Sequence, residues 1–161
     1  MRPVLMFALL LSAAPLGAAP TRDDQLKPVS VQFAQAGQAA LAAGKPQDAI
    51  DSFEAALASD PRNVAAFSGI AQAYEKLGLP GKAVKYYREA LALNPSDIGA
   101  LEGQGRALVA RGATARAQIN LARIKALCKA DCSAAARLEG VIAKGTQTAS
   151  AAPVKPPTAR P

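Results

Sequence analysis

The chain has 161 residues, half of them hydrophobic and only 4% aromatic, with 19 Lys and Arg against 12 Asp and Glu for a net charge of +7. It contains no histidine, which excludes a Ser-His-Asp triad, a Cys-His pair and a histidine metal site; no paired arrangement of carboxylates or lysines takes their place, so no enzyme and no cofactor is expected. Alanine and leucine dominate, as suits close-packed helices, and residues that favour strands are sparse.

The N-terminus has one cation, Arg2, then an apolar run from Val4 to Leu11, then small residues ending in Gly17, Ala18 and Ala19. This is the layout of a secretory signal peptide, and the run is too short to cross a bilayer comfortably. Cleavage is expected near Ala18, with residues 1–18 removed and 19–29 a flexible lead-in. The mature chain then carries 18 cations against 12 anions, or +6, and no transmembrane segment. Export to a bacterial periplasm or beyond is the expectation.

From residue 30 the sequence repeats with a shift of 34. Gly44 falls on Gly78, Ala49 on Ala83, Phe53 on Tyr87, Ala56 on Ala90, Leu57 on Leu91, and Asp60-Pro61 on Asn94-Pro95. A weaker third copy keeps Gly112, Ala117 and Leu121 in register. Each copy predicts two helices, the first over 30–43, 64–77 and 98–111. Phe33, Phe67 and Leu101 are expected to begin its buried stripe, with small residues Gly37, Ala71 and Gly105 one turn later allowing close helix approach. Gly44, Gly78 and Gly112 break the first helix, where a left-handed residue costs little. Pro61 and Pro95 end the second. Asn63, Asp97 and Asp131 each sit where an N-cap belongs.

This pattern resembles the tetratricopeptide repeat (TPR) in length and in its Ala, Gly, aromatic and Pro positions, with Phe33, Phe67 and Leu101 in the place of the usual tryptophan. The resemblance implies an all-α, right-handed superhelix of three helix-turn-helix repeats, 30–63, 64–97 and 98–131. The third is degenerate, with Gln104 at a core position and Lys129 in the place of proline. Residues 132–144, with Ala134, Leu138, Val141 and Ile142 on one stripe, are expected to form a capping helix over the last repeat. Residues 145–161, rich in Pro and Ala, are expected to be a disordered tail.

The TPR resemblance further implies a concave groove that holds a protein or peptide partner. The positions that match its lining are Ala34, Gln38 and Leu41, then Ser68, Gln72 and Glu75, then Glu102, Arg106 and Val109. The Lys/Arg/Asn clamp that some chaperone-binding TPR domains use for a terminal carboxylate is not visible. Net charge runs from −2 over 30–63 to +1 over 64–97 and +4 over 98–131. Arg106, Arg111, Arg116 and Arg123, with the tail, therefore form a candidate basic patch for an acidic partner or an anionic envelope polymer. Nucleic acid is not expected, because no stacking aromatics interleave the arginines. The Tyr86-Tyr87 pair is a candidate for self-association, and the oligomeric state is left open.

Cys128 and Cys132 are the only cysteines. Two thiols without histidine fall short of a metal site, and three intervening residues with no strand nearby do not suit a redox centre. In an oxidising compartment a structural disulfide is the expectation. By register Cys128 takes the slot of Asp60 and Asn94, and Cys132 that of Val64 and Ile98. The bond would span the turn that Asp-Pro and Asn-Pro hold elsewhere and pin the capping helix.

Overall fold

The computed structural model describes residues 25–129 and 132–151, and all regular structure among them is helical. The elements are α1 (Pro28–Ala42), α2 (Pro46–Ser59), α3 (Val64–Lys76), α4 (Pro80–Leu93), α5 (Ile98–Ala110), α6 (Thr114–Leu127) and α7 (Ser133–Ala151). They stack in chain order as helical hairpins, and α7 packs across α5 and α6.

Local chemistry sets the boundaries. Proline opens α1, α2 and α4, where its missing N–H would be unpaired in any case. Asn63 caps α3 by accepting from the Ala66 N–H at 3.1 Å, and Asp97 caps α5 through the Ala100 N–H at 3.0 Å. Asp131, expected in the same role, lies outside the described residues. Gly44, Gly78 and Gly112 have φ of 72°, 70° and 75°. Just past each, the N–H of Lys45, Leu79 or Ala113 donates back to Ala40, Tyr74 or Leu108, each at 2.9 Å, closing the helix end.

Aromatic rings set the spacing between hairpins. Phe53 of α2 is fully buried, and its ring fills the space beside Gly37 on α1 and Gly69 on α3. A Cβ at Gly37 would lie 2.7 Å from that ring. Tyr87 of α4 sits in the same way against Gly103 on α5. In the last hairpin the relation changes: Leu138 of α7 fills the space beside Gly105, 2.6 Å from where a Cβ would stand.

Four features differ from the sequence expectation. Phe33 is 39% exposed, since among the described residues no hairpin precedes α1 to cover it; the buried stripe of α1 is Ser30, Ala34, Gly37 and Leu41. The first helix begins at Pro28, inside the segment expected to be loose. The capping helix does not end at Lys144 but runs to Ala151, into the segment expected to be disordered. Gly145 lies against Val109, so α7 is still seated on α5 past that point. Finally, Gln104 is buried yet satisfied. Its Nε2 donates to the Val84 carbonyl at 3.5 Å, and its Oε1 accepts from Asn120 Nδ2 at 3.0 Å.

The ring-against-glycine contact predicts opposite outcomes for two similar substitutions. Gly69→Ala forces a methyl into the Phe53 ring and should cost about 2 kcal/mol in urea denaturation. Gly140→Ala, on the exposed face of α7 with open space around it, should gain up to about 1 kcal/mol through reduced backbone entropy in the unfolded chain.

Candidate partner-binding groove

Register places α1, α3 and α5 side by side, and their exposed faces bound an open groove. Gln38 from α1, Ser68 and Gln72 from α3, and Glu102 and Arg106 from α5 line it. α3 and α5 each contribute residues four apart, one turn on, so one face of each is presented. Ala34 lines a smaller apolar cleft at one end with Leu26, Val31 and Ala65. Glu75 sits with Gln72, Lys76 and Arg106 at the other. Leu41 and Val109 are not in the groove. Leu41 lies on the core stripe of α1, beneath α2, and Val109 is half-buried against the core with α7 across it.

A chain of charged groups crosses the groove floor. Glu102 is buried and accepts two hydrogen bonds from Arg137 of α7, from Nε at 2.8 Å and from Nη2 at 2.7 Å. Arg106 Nη1 donates to the same carboxylate at 3.2 Å, and its Nη2 donates to Glu75 at 3.2 Å. Glu75 also accepts from the Tyr87 hydroxyl at 2.6 Å. The hydrogen bonds from Arg137 hold the Glu102 carboxyl below its ordinary range, against the opposing effect of burial. Burial, reinforced by the Glu75 charge, pushes the Tyr87 phenol up, so it remains a donor.

The family model of the tetratricopeptide repeat matches residues 35–98 and 77–131. The chain belongs to the tetratricopeptide repeat family. Solved structures agree on the TPR fold. The TPR domain of Sgt2 from Aspergillus fumigatus is 24% identical with a TM-score of 0.70, over 84% of this chain and 90% of that one. The second TPR domain of human RPAP3, solved with the HSP70 peptide SGPTIEEVD, is 22% identical with a TM-score of 0.64, over 70% and 93%. The Yersinia enterocolitica type III secretion chaperone SycD, in complex with a peptide of the translocator YopD, is 16% identical with a TM-score of 0.66, over 74% and 93%. No curated protein sequence matches the chain.

The TPR superhelix does not gather the four candidate arginines into one free patch. Arg106 is engaged by Glu75 and Glu102. Arg123 Nη2 donates to the Pro95 carbonyl at 2.7 Å, where it holds the turn between α4 and α5. Arg111 and Arg116 are exposed. Nor does the tyrosine pair offer a free surface: Tyr87 is buried, and half-buried Tyr86 stacks on Tyr74 with ring centroids 5.5 Å apart. Cys128 and Cys132 stand at disulfide-bonding distance with Cα atoms 5.5 Å apart. They bracket the junction of α6 and α7, the register position where Asp60 accepts from the Arg62 N–H at 3.0 Å and Asn94 from the Ser96 N–H at 3.2 Å. Among the described residues no helix is long and apolar enough to cross a membrane.

Arg137 and the Tyr87 hydroxyl escaped the sequence reading. Glu102 and Arg137 are 35 residues apart, one repeat plus one, a spacing that places them on neighbouring helices of like kind. That signal was present, but it is legible only once α7 is treated as the first helix of a fourth repeat.

The depressed Glu102 carboxyl fixes a pH dependence. Its contribution is complete above the unfolded carboxyl value of about 4.3 and is lost as pH falls below that, through the lower folded value. Glu102→Gln should therefore cost about 2 kcal/mol at pH 7. The difference from wild type should shrink as pH falls below about 4, as read by urea denaturation across the pH range.

Proposed function

We propose that the chain is a non-enzymatic adaptor, exported to the bacterial cell envelope, whose groove holds a protein or peptide partner in an assembly such as a secretion, pilus or envelope machine. The observation that carries this reading is the lining of the groove. Gln38 and Gln72 present hydrogen-bonding side chains along it, with Ser68 between them. Ala34, Ala65 and Val31 supply apolar contact at the groove's end. The peptides held by the RPAP3 and SycD structures support the same use of the fold. The signal-like N-terminus and the paired cysteines support the envelope as its place.

The lining also restricts the partner. Arg106, the cation among the central groove residues, already faces two carboxylates and so is not free to clamp a terminal carboxylate. An internal, neutral segment fits better than an acidic C-terminus. Capture of an anionic polymer by the basic third repeat and tail is the weaker reading, since two of its four arginines are already engaged.

Gln38→Arg combined with Gln72→Arg should fill the groove without touching the core. Affinity capture from envelope extract is expected to lose its specific partner with this variant and to keep it with Asp51→Arg, on the exposed side of α2. Equal capture by the groove variant and wild type would overturn the groove as the binding surface.

A further inference from the structure

We propose that the Cys128–Cys132 disulfide is a redox latch on α7, and that through Arg137 it sets the charge of the groove. The first two inter-hairpin turns are held by Asp60-Pro61 and Asn94-Pro95, whose side chains cap the backbone two residues on. At the third position a cysteine replaces the capping oxygen and Lys129 replaces the proline. The disulfide is the constraint that distinguishes this turn, and unlike the others it can be removed by reduction. Cys132 is exposed and Cys128 half-buried, so an attacking thiolate has access.

The step balances with a dithiol reductant of the thioredoxin class. Its thiolate attacks Cys132 Sγ, the Sγ–Sγ bond breaks, and Cys128 leaves as a thiolate that takes a proton. The second thiol of the reductant then attacks the mixed disulfide, releases Cys132 as a thiol and leaves the reductant oxidised. Two electrons and two protons pass to the protein.

Arg137 lies five residues beyond Cys132, in the second turn of α7. Tethering residues 128 and 132 therefore fixes the end of α7 that carries Arg137 to Glu102. A ring of five residues biases the docked state by about thirtyfold over the untethered one. Without the tether, α7 depends on the Leu138 contact at Gly105, its other buried apolar residues and the Arg137 ion pair. When α7 lifts, Glu102 loses its two strongest hydrogen bonds. In the docked state Glu75 and Glu102 balance Arg106 and Arg137; in the released state the same floor carries one net negative charge. Reduction therefore increases the preference of the groove for a cationic ligand. The latch stands on the turn and α7 alone; only its effect on ligand preference rests on the groove reading.

The test uses the whole protein with and without dithiothreitol, with thiol titration to count free cysteines. Amide exchange of residues 133–146 is expected to speed up by roughly tenfold to thirtyfold on reduction, while α1 to α4 keep their protection. Two titratable thiols with unchanged exchange in α7 would overturn the latch, as would an equal loss across all helices. Cys128→Ser with Cys132→Ser should reproduce the reduced pattern; if that variant does not fold, the reduced wild type decides alone. For the charge coupling the probe is tetralysine, titrated by calorimetry at low salt. Its affinity should rise several-fold on reduction. Oxidised Arg137→Gln should show the same rise and no further response to reductant. Latch opening with unchanged tetralysine affinity would refute the coupling. None of these arms uses the envelope partner, so failure to capture a partner leaves their outcome separate.

Discussion

The stack depends on a ring occupying the space of a missing Cβ. Phe53 reaches Gly37 within its own hairpin and Gly69 in the next, so one side chain fixes both the angle inside a repeat and the distance between repeats. Glycine in a helix interior costs roughly 1 kcal/mol against alanine. A buried aromatic ring, whose removal typically costs 3–5 kcal/mol, more than offsets two such positions. Close approach at those positions is also what brings α1, α3 and α5 side by side, and with them the residues that line the groove. The groove is thus a consequence of packing on the opposite faces of the same helices.

The third repeat shows what happens when that device weakens. Its ring position is held by Leu121, which is only half-buried. The interior is completed by polar groups instead: Asn120 Nδ2 donates both to the Leu101 carbonyl at 3.1 Å and to Gln104 at 3.0 Å. Such a joint stabilises only if every member is paired. Part of the packing passes to α7, whose Leu138 takes over the role of the ring at Gly105, and part passes to ionic contacts, as Arg137 reaches Glu102. The basic residues that give this repeat its positive balance are therefore in good part structural. Arg106 and Arg137 neutralise a buried carboxylate, and Arg123 holds a turn carbonyl.

How far the sequence could be read follows the same line. Turn glycines, N-caps Asn63 and Asp97, the aromatic positions and the helix pairs were all legible, because each depends on a residue and its neighbours within one repeat. The misplacements concern what lies across a boundary. Phe33 occupies a core position by register, but among the described residues no hairpin precedes α1 to cover it. Val109 matches the groove by register but is covered by α7, which continues to Ala151 because Gly145 can lie against it. Leu41 was assigned by position on the first helix alone, whereas its burial is set by α2. The ionic chain from Tyr87 to Arg137 spans α3 and α4 of one hairpin, α5 of the next, and α7, and periodicity carries no information about which charges meet there.

These points converge on α7. A repeat array needs a terminal element to cover its last apolar face, and here that element also donates a cation into the groove. Cover and site are thereby coupled: Leu138, which packs on Gly105, is the neighbour in sequence of Arg137, whose guanidinium holds Glu102. Any change that loosens the junction at Cys128 acts on stability and on the groove together. The first two turns, locked by proline and an Asx side chain, each join one hairpin to the next. The third joins the array to α7, the last described helix, and it is the one closed by a covalent bond that chemistry can open.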